Sequence, residues 1–245
     1  MDLNNRTTIR KYTEQSIDTA LLTQLLETAC RASNTGNMQT YSVIITRDQV
    51  QKQALAPAHF NQPMITQAPV VLTFCADYNR FSKWCESRKA IPGYDNFQSF
   101  IAASIDAVIC AQTFAVAAEA AGLGICYLGT TTYNAHQIIE TLNLPRLVVP
   151  LVTLTVGYPA EIPPMQDRLP IQAIIHEEVY HESTCEDIDQ WYAEKEALPA
   201  MQAFTRENNK ETLAQVFTDV RYTKANNEHF SEVLLEVLKK QDFFK

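Results

Sequence analysis

Residues 99–121 read SFIAASIDAVICAQTFAVAAEAA, which is the longest helix-favouring stretch of the chain. Apolar side chains such as Ile101 and Phe114 point in different directions, so the predicted helix is apolar nearly all round and belongs inside a core or at a subunit interface. The stretch is long enough to cross a membrane, but Asp106 and Glu119 interrupt it. Because ionisable groups are costly in lipid, we expect the central helix of a soluble protein.

Shorter elements flank this helix on both sides. Strands are predicted at 41–46, 70–76, 123–128 and 148–156, where apolar and β-branched residues lie between turn signals. Further helices are predicted at 18–32, 80–90, 135–142 and 228–240. Helices outnumber strands, which indicates an α+β fold with a mixed central sheet flanked by helices. We expect one domain over 1–180 and a helical extension over 181–245 that packs on the core or on a partner subunit.

The composition indicates which partners the protein avoids and which cellular compartment it occupies. Acidic residues outnumber basic ones by 28 to 20, and the net charge of −8 disfavours nucleic acid and anionic membranes as partners. Six cysteines without a C-x-x-C pair indicate reduced thiols rather than a disulfide framework or a zinc site. Residues 1–12 lack the apolar centre of a signal peptide. We therefore predict a cytoplasmic protein.

Common catalytic and nucleotide-binding signatures are missing from the sequence. It contains no nucleophile elbow, zinc-protease motif or P-loop, and Gly122-x-Gly124 follows a predicted helix instead of opening one. The histidines and acids of 176–181 fit an exposed polar turn better than a metal site. Only six glycines occur where average usage would give about seventeen. A bound nucleotide would therefore need arginines and backbone amides to hold its phosphate.

Three polar clusters suit that role. Arg6, Thr8 and Arg10 alternate along the chain, so in an extended segment they share one face and can bind an anion. A solubilising terminus would have the same composition. Residues 33–39, SNTGNMQ, offer amides and hydroxyls that can bind the edge of a polar heterocycle, although a plain connecting loop would look alike. Arg168 follows a proline-rich connection.

Taken in order, these clusters resemble the FMN-dependent nitroreductase family, and most of all its NADPH-preferring nitroreductase and flavin reductase branch. Residues 6–10, RTTIR, look like the opening R-R-S-[IV]-R, and 32–39 look like the A-P-S-x-x-N-x-Q loop. Further segments that resemble family motifs are GLGICYLG at 122–129, GYPA at 157–160 and QDRLP at 166–170. Gln62 falls where the branch carries a flavin-contacting glutamine.

The resemblance implies an α+β homodimer that binds two FMN molecules at the subunit interface. It assigns the FMN phosphate to Arg6 and Arg168, with the Thr8 hydroxyl as a further donor. It places Arg10 beside N1 and O2 of the flavin, where a fixed cation stabilises the negative charge of the reduced ring. Asn37 and Gln39 would contact the flavin from the second subunit.

The remaining implied contacts surround the ring. Gln62 would bind the pyrimidine edge, and Leu128, Gly129 and Thr130 would lie beside the ring and N5. The other positions of the motifs that join the predicted FMN-binding set are Thr7, Asn34, Tyr127 and Gln166. Four of all these residues depart from the branch pattern, namely Thr7 for Arg, Asn34 for Ser, Thr130 for Gly and Gln166 for Lys.

The extension carries basic residues that resemble the NADPH-binding loop of the branch. Arg206 and Lys210 are the predicted NADPH contacts, and a solvated charged loop is the alternative. The implied activity is hydride transfer from NADPH or NADH through FMN to nitroaromatic, quinone or flavin acceptors by a ping-pong mechanism. Since the cofactor carries the chemistry, no catalytic side chain is expected. The alternatives are a dedicated flavin reductase, a non-catalytic flavin-binding redox sensor and a helical scaffold without cofactor.

Overall fold

Helix α5, Phe97–Ala120, is the centre of the fold in the computed structural model, which describes residues 3–244. Asn96 caps its start by accepting a hydrogen bond from Ser99 N at 2.9 Å. The chain leaves the helix at Gly122, whose φ of +81° suits glycine. By length and composition α5 could cross a membrane, but ten of its residues are buried in the protein core, including the ionisable Asp106.

The sheet has four strands in the order β1-β2-β4-β3. Their bounds are β1 Tyr41–Thr46, β2 Val70–Asp77, β3 Gly124–Leu128 and β4 Val148–Gly157. Every pairing among the described residues is antiparallel. The predicted α+β class with flanking helices is therefore confirmed, whereas the prediction of a mixed sheet was wrong. Helical connections between strands are compatible with either direction, so the sequence pattern could not decide it.

The other helices of the described residues are all shorter than α5. They are α1 Thr19–Ala29, α2 Gln49–Leu55, α3 Pro63–Gln67, α4 Asn79–Ser87, α6 Ala135–Leu142, α7 Cys185–Ala197, α8 Pro199–Glu207, α9 Leu213–Val216 and α10 Lys224–Lys240. Asp18 caps α1 through hydrogen bonds from Ala20 N and Leu21 N. Helices α2 and α3 are too short to show a clear apolar period, and the sequence pattern did not indicate them.

Helices cover both faces of the sheet. On one face α1 and α5 pack against Leu72 and Phe74 of β2, and on the other α2, α3 and α6 pack around Val71. This alternation along β2 follows from the two-residue period of a strand. All eight residues of β2 are buried, which explains why this strand reads as a continuous apolar run.

The chain divides into two compact units. One comprises the described residues up to 163 together with 230–244, and the other comprises 164–229. Within the first unit, Val237, Leu238 and Phe243 near the end of the chain pack in a cluster with Phe100 of α5. The division at residue 180 stays a prediction. The end of α10 completes the core of the first unit, because its apolar residues Val237 and Leu238 are buried there.

Candidate functional site

The segment around Ile9 lies against β3 and β4. Ile9 N donates a hydrogen bond to Ile125 O at 3.0 Å. Further along, the Tyr12 hydroxyl donates to Ile9 O at 2.8 Å and lies 2.7 Å from Thr155 Oγ1. Burial raises the pKa of Tyr12 well above its usual value. These contacts fix a segment that carries four of the predicted site residues, Arg6, Thr7, Thr8 and Arg10.

Two glycines make this close approach possible. A Cβ on Gly124 would lie 2.5 Å from Ile9 Cγ1, and a Cβ on Gly157 would lie 2.7 Å from the Tyr12 ring and from Pro69 Cδ. Such contacts are far inside van der Waals distance, so only glycine fits at both positions. In this chain these two glycines make room for the docked amino-terminal segment.

The predicted shared face of Arg6, Thr8 and Arg10 stays a prediction, because burial along the segment alternates only at its end. Ile9 is buried at 5% exposure, whereas Arg6 and Thr8 are half-buried and Arg10 is exposed. Thr7 is half-buried between them. The Arg6 guanidinium forms a double contact with Glu119, with Nε and Nη2 lying 3.1 and 2.9 Å from Oε1.

The Arg10 guanidinium pairs with no carboxylate within residues 3–244. It lies near the Cys126 thiol of β3, whose pKa is raised by burial while the charges of Arg10 and Arg6 act in the opposite direction. Arg10 is therefore an exposed cation held at a defined place beside β3.

The end of β3 and the loop after it carry the next predicted residues. The Tyr127 hydroxyl donates to Gln112 Oε1 at 3.1 Å, and burial of its ring raises the pKa of Tyr127 to about 12. Leu128 is buried, Gly129 is exposed, and a Cβ on Gly129 would meet no atom within 4 Å. The backbone at Gly129 is therefore open to a neighbouring molecule.

Thr130 is joined to a second segment through His59. Its Oγ1 lies 2.9 Å from His59 Nδ1, and Asn134 Nδ2 donates to Ala58 O at 3.0 Å in the same region. Gln62 N donates to His59 O at 3.1 Å, so Gln62 follows directly on this turn and is half-buried. The structure thus brings Gln62 and Thr130 to the same pair of segments. Burial lowers the pKa of His59 to about 4.

The polar loop at 33–40 is folded on itself before β1. Asn34 Oδ1 accepts from Gln39 N at 3.1 Å, and Gln39 Nε2 donates to Asn37 O at 2.6 Å. Asn37 and Gln39 both have positive φ angles, of 56° and 49°. Arg80 also donates to Gln39 O. The three predicted amide residues are therefore neighbours in one tight loop.

Asp106 anchors this loop to the middle of α5. One carboxylate oxygen accepts from Thr35 N at 2.9 Å and from Thr35 Oγ1 at 3.0 Å, and the other accepts from Thr40 Oγ1 at 2.6 Å. Asp106 is 1% exposed and Thr40 is fully buried. A buried carboxylate with three donors of this kind holds a loop in one conformation.

The two groups of predicted residues lie at opposite edges of the sheet. The polar loop leads into the edge strand β1, whereas the amino-terminal segment lies on the other edge strand, β3. Three strand spacings separate these edges by about 14 Å. Their anchors Asp106 and Glu119 are about 13 residues apart on α5, which is a rise of about 20 Å.

Four predicted residues belong to the unit formed by 164–229. The Arg168 guanidinium donates to Asp167 O at 2.8 Å, and both Arg168 and Gln166 are exposed. Arg206 is exposed in the last turn of α8. Lys210 Nζ pairs with Asp219 Oδ2 at 2.9 Å, and this contact lowers the pKa of Asp219.

Sequence reasoning missed three supporting residues, namely Asp106, Glu119 and His59. The first two stood out as ionisable residues in an apolar stretch, but that signal was used only against a membrane helix. Their partners are more than sixty positions away in the chain, so the pattern did not reveal them. For His59 no local signal exists, since its partner Thr130 follows in another element.

Comparison with known proteins identifies the family of this chain. Residues 3–158 match the model of the Nitroreductase family. The Bacillus subtilis (strain 168) protein named FMN reductase (NADPH) is 35% identical over 184 residues, which cover 74% of each protein.

Solved structures extend the likeness over the whole chain. The crystal structure of a candidate oxidoreductase from Bacteroides fragilis NCTC 9343 has a TM-score of 0.98 and 60% identity, and the match covers 99% of both chains. The NfrA1 nitroreductase from B. subtilis has a TM-score of 0.85 and 28% identity over 98% of this chain and 97% of its own. This chain therefore belongs to the nitroreductase family.

Proposed function

We propose that this chain is an FMN-dependent oxidoreductase that uses NADPH or NADH to reduce nitroaromatic, quinone or flavin acceptors. The observation that carries the proposal is Arg10, an exposed cation without a carboxylate partner in residues 3–244, which follows Ile9 on the segment that docks on β3. Family membership and the name of the B. subtilis relative, FMN reductase (NADPH), support it.

The donor set fits an anionic flavin nucleotide. Arg6 uses Nε and Nη2 for Glu119, which leaves the Nη1 donors for a phosphate while the pair keeps the guanidinium in place. Thr8 would add a hydroxyl, and Arg10 would face the pyrimidine side of the ring. The chemistry that bound FMN would supply is hydride transfer between nicotinamide and acceptor, in the two half-reactions of a ping-pong mechanism.

The chain's own contribution is charge and position. A fixed cation at Arg10 stabilises negative charge that develops on a reduced ring without any reorganisation at that moment. Gln62 and Thr130 supply polar groups from two segments that are already joined through His59. Arg206 is our candidate for NADPH phosphate recognition. Lys210, four positions later, is the second candidate, and its ammonium pairs with Asp219.

We propose a homodimer, and the distance between the two groups of residues supports it. Arg10 and the amides of Asn37 and Gln39 lie at opposite sheet edges, so a flavin that contacts both sets takes them from two chains. A two-fold contact through α5 would set the two copies of this helix antiparallel. The polar loop of one chain would then approach the amino-terminal segment of the other. The exposed face of α5 supports this contact, because Ile101, Ile105, Val108 and Ile109 are 36–53% exposed there.

A matched pair of variants tests the role of Arg10. Arg10→Ala should slow flavin reduction by NADPH more than it lowers FMN occupancy, whereas Lys11→Ala, which removes an exposed neighbouring cation paired with Glu161, should change neither. Rapid-mixing absorbance under anaerobic conditions measures the reduction rate. An unchanged rate in Arg10→Ala would refute the assignment.

The spectrum of the purified protein decides between the proposal and its rivals. A yellow protein that bleaches with NADPH or NADH and recovers with a nitrofuran supports the oxidoreductase, and parallel initial-rate lines support the ping-pong order. Preference for free FMN over the nitrofuran would indicate a dedicated flavin reductase. A yellow protein that does not bleach would indicate a redox sensor, and a colourless one with no flavin after denaturation would refute the proposal. We place the protein in the reducing cytoplasm, in keeping with its six free thiols.

A further inference from the structure

Two segments on one side of the sheet are tied together at two points. His59 Nδ1 contacts Thr130 Oγ1 at 2.9 Å, and Asn134 Nδ2 donates to Ala58 O at 3.0 Å. Directly after His59 the backbone is left-handed at two consecutive residues, Phe60 with φ 52° and Asn61 with φ 54°. Asparagine tolerates this conformation, but a bulky residue such as Phe60 adopts it rarely, and residues in sparsely populated backbone regions cluster at functional sites.

His59 is buried with only one side-chain partner in the part of the chain that the structure describes. Its exposure is 0%, and its Nε2 atom has no hydrogen-bond partner among residues 3–244. Burial lowers the pKa to about 4, so at neutral pH the ring is neutral and one of its two nitrogens carries the proton.

The ring nitrogen of His59 that carries the proton can be inferred from the free-energy cost of leaving a buried polar atom unpaired. A proton on Nε2 would leave an orphaned buried N–H, whereas a proton on Nδ1 leaves only an unused acceptor at Nε2. Orphaned buried N–H groups are rarer in proteins than under-used acceptors. The surroundings therefore favour the form in which Nδ1–H donates to Thr130 Oγ1.

We propose that His59 is a positioning residue that fixes the direction of the Thr130 hydroxyl, so that Thr130 donates its own proton to bound FMN. Within residues 3–244 the hydroxyl has His59 as its one hydrogen-bond partner. If Oγ1 accepts from Nδ1–H, its proton must point elsewhere, and Thr130 directly follows the open backbone of Gly129. The inference rests on the proposed function, since it needs FMN beside this loop.

The consequence of this hydroxyl direction is that the site binds reduced FMN more tightly, relative to oxidised FMN, than it otherwise would. A hydrogen-bond donor directed at the flavin stabilises the electron-rich reduced ring more than the oxidised one. A hydroxyl that instead donated to His59 would present its lone pairs to the ring and have the opposite effect. His59 acts on the cofactor only through the hydroxyl that it orients.

The first test measures the proton on His59 in the wild-type protein without flavin. Nitrogen-15 NMR that correlates ring nitrogens with ring protons should show a protonated Nδ1 and a bare Nε2 for His59. A protonated Nε2 would overturn the inference. This result does not depend on FMN binding, so it stands apart from the proposed function.

The second test measures binding of oxidised and reduced FMN. Thr130→Val should lower the ratio of reduced-FMN to oxidised-FMN affinity about tenfold, the value of one good hydrogen bond to a charged group. Thr130→Ser should keep the wild-type ratio, and Thr132→Val is the matched control for the loss of a neighbouring hydroxyl. His59→Leu should lower the ratio by less than Thr130→Val, because the hydroxyl remains but is no longer oriented.

The outcomes separate the two proposals. Wild-type ratios in both Thr130→Val and His59→Leu would overturn the inference while leaving FMN binding intact. If the wild type binds no FMN, the proposed function fails and the flavin part of this inference fails with it. The NMR measurement would then still decide which way the Thr130 hydroxyl points.

Discussion

Replacing Gly124 with alanine is the sharpest test of how the amino-terminal segment is held. The new Cβ would lie 2.5, 2.6 and 2.8 Å from three side-chain atoms of Ile9, where ordinary contacts begin at 3.4 Å. Ile9 is β-branched and 5% exposed, so it has little freedom to turn away. Relief therefore requires the segment to move by about 1 Å relative to β3.

The expected loss of stability has two parts. Overpacking of a tight core contact costs about 1–3 kcal/mol. A shift of that size also stretches the 3.0 Å hydrogen bond from Ile9 N to Ile125 O beyond bonding distance, which costs about 1 kcal/mol more. We expect Gly124→Ala to lose about 2–4 kcal/mol of unfolding free energy and to bind FMN about tenfold more weakly or worse, because Arg10 moves with the segment.

Urea unfolding and flavin fluorescence titration measure these two effects. Gly93→Ala is the matched control, because a Cβ there would meet no atom within 4 Å. Adding Ile9→Ala removes two of the three clashing atoms, so the double variant should lose less than the sum of the single losses. If Gly124→Ala unfolds at the same urea concentration as Gly93→Ala and binds FMN like the wild type, the segment is not held as described.

Three further predictions follow from other contacts. The unfolded chain protonates His59 below about pH 6.5 and the folded chain only below about pH 4, so the unfolding free energy should fall by about 3 kcal/mol as the pH drops between these values. In urea unfolding, His59→Gln should show a shallower dependence of this free energy on pH. An equal dependence would contradict the burial of the ring. Asp106→Asn should destabilise the protein by about 2 kcal/mol and speed amide exchange at 35–40, because an NH2 group replaces an acceptor of the Thr35 amide or Thr40 hydroxyl; unchanged exchange would show that the loop does not depend on the carboxylate. Ile105→Asp should convert the dimer to monomers in light scattering and lower FMN affinity, whereas a dimer of unchanged stability would exclude this face of α5 as the interface.

Elements with a strong local signal were predicted well from the sequence. The apolar stretch at 99–121 corresponds to α5, Phe97–Ala120, and the strand predicted at 41–46 has the bounds of β1. The helix at 135–142 also agrees, since Pro145 and Asn143 mark its end. These segments carry their own caps, breakers and periods, so they need no information from distant residues.

Features that depend on distant contacts could not be predicted in the same way. The role of Asp106 depends on Thr35 and Thr40, and that of Glu119 on Arg6, which is 113 positions away. A single sequence contains no signal that pairs such positions. The site residues named by resemblance remain predictions. The structure does explain two glycines of the motifs, Gly124 and Gly157, because a Cβ at either position would clash with the amino-terminal segment. Neither periodicity nor composition supplies that reason.

The docked amino-terminal segment has a consequence for the order of folding. Its contacts join Ile9 to Ile125 and Arg6 to Glu119, so each closes a loop of more than a hundred residues. Loop closure on that scale is entropically costly, and such contacts form late. The paired strands β3 and β4 must exist before the segment can dock on them, so Arg6 and Arg10 of the candidate site arrive last. A cofactor that binds them therefore selects chains that have finished folding, and FMN should slow exchange of the Ile9 amide more than that of the β2 amides.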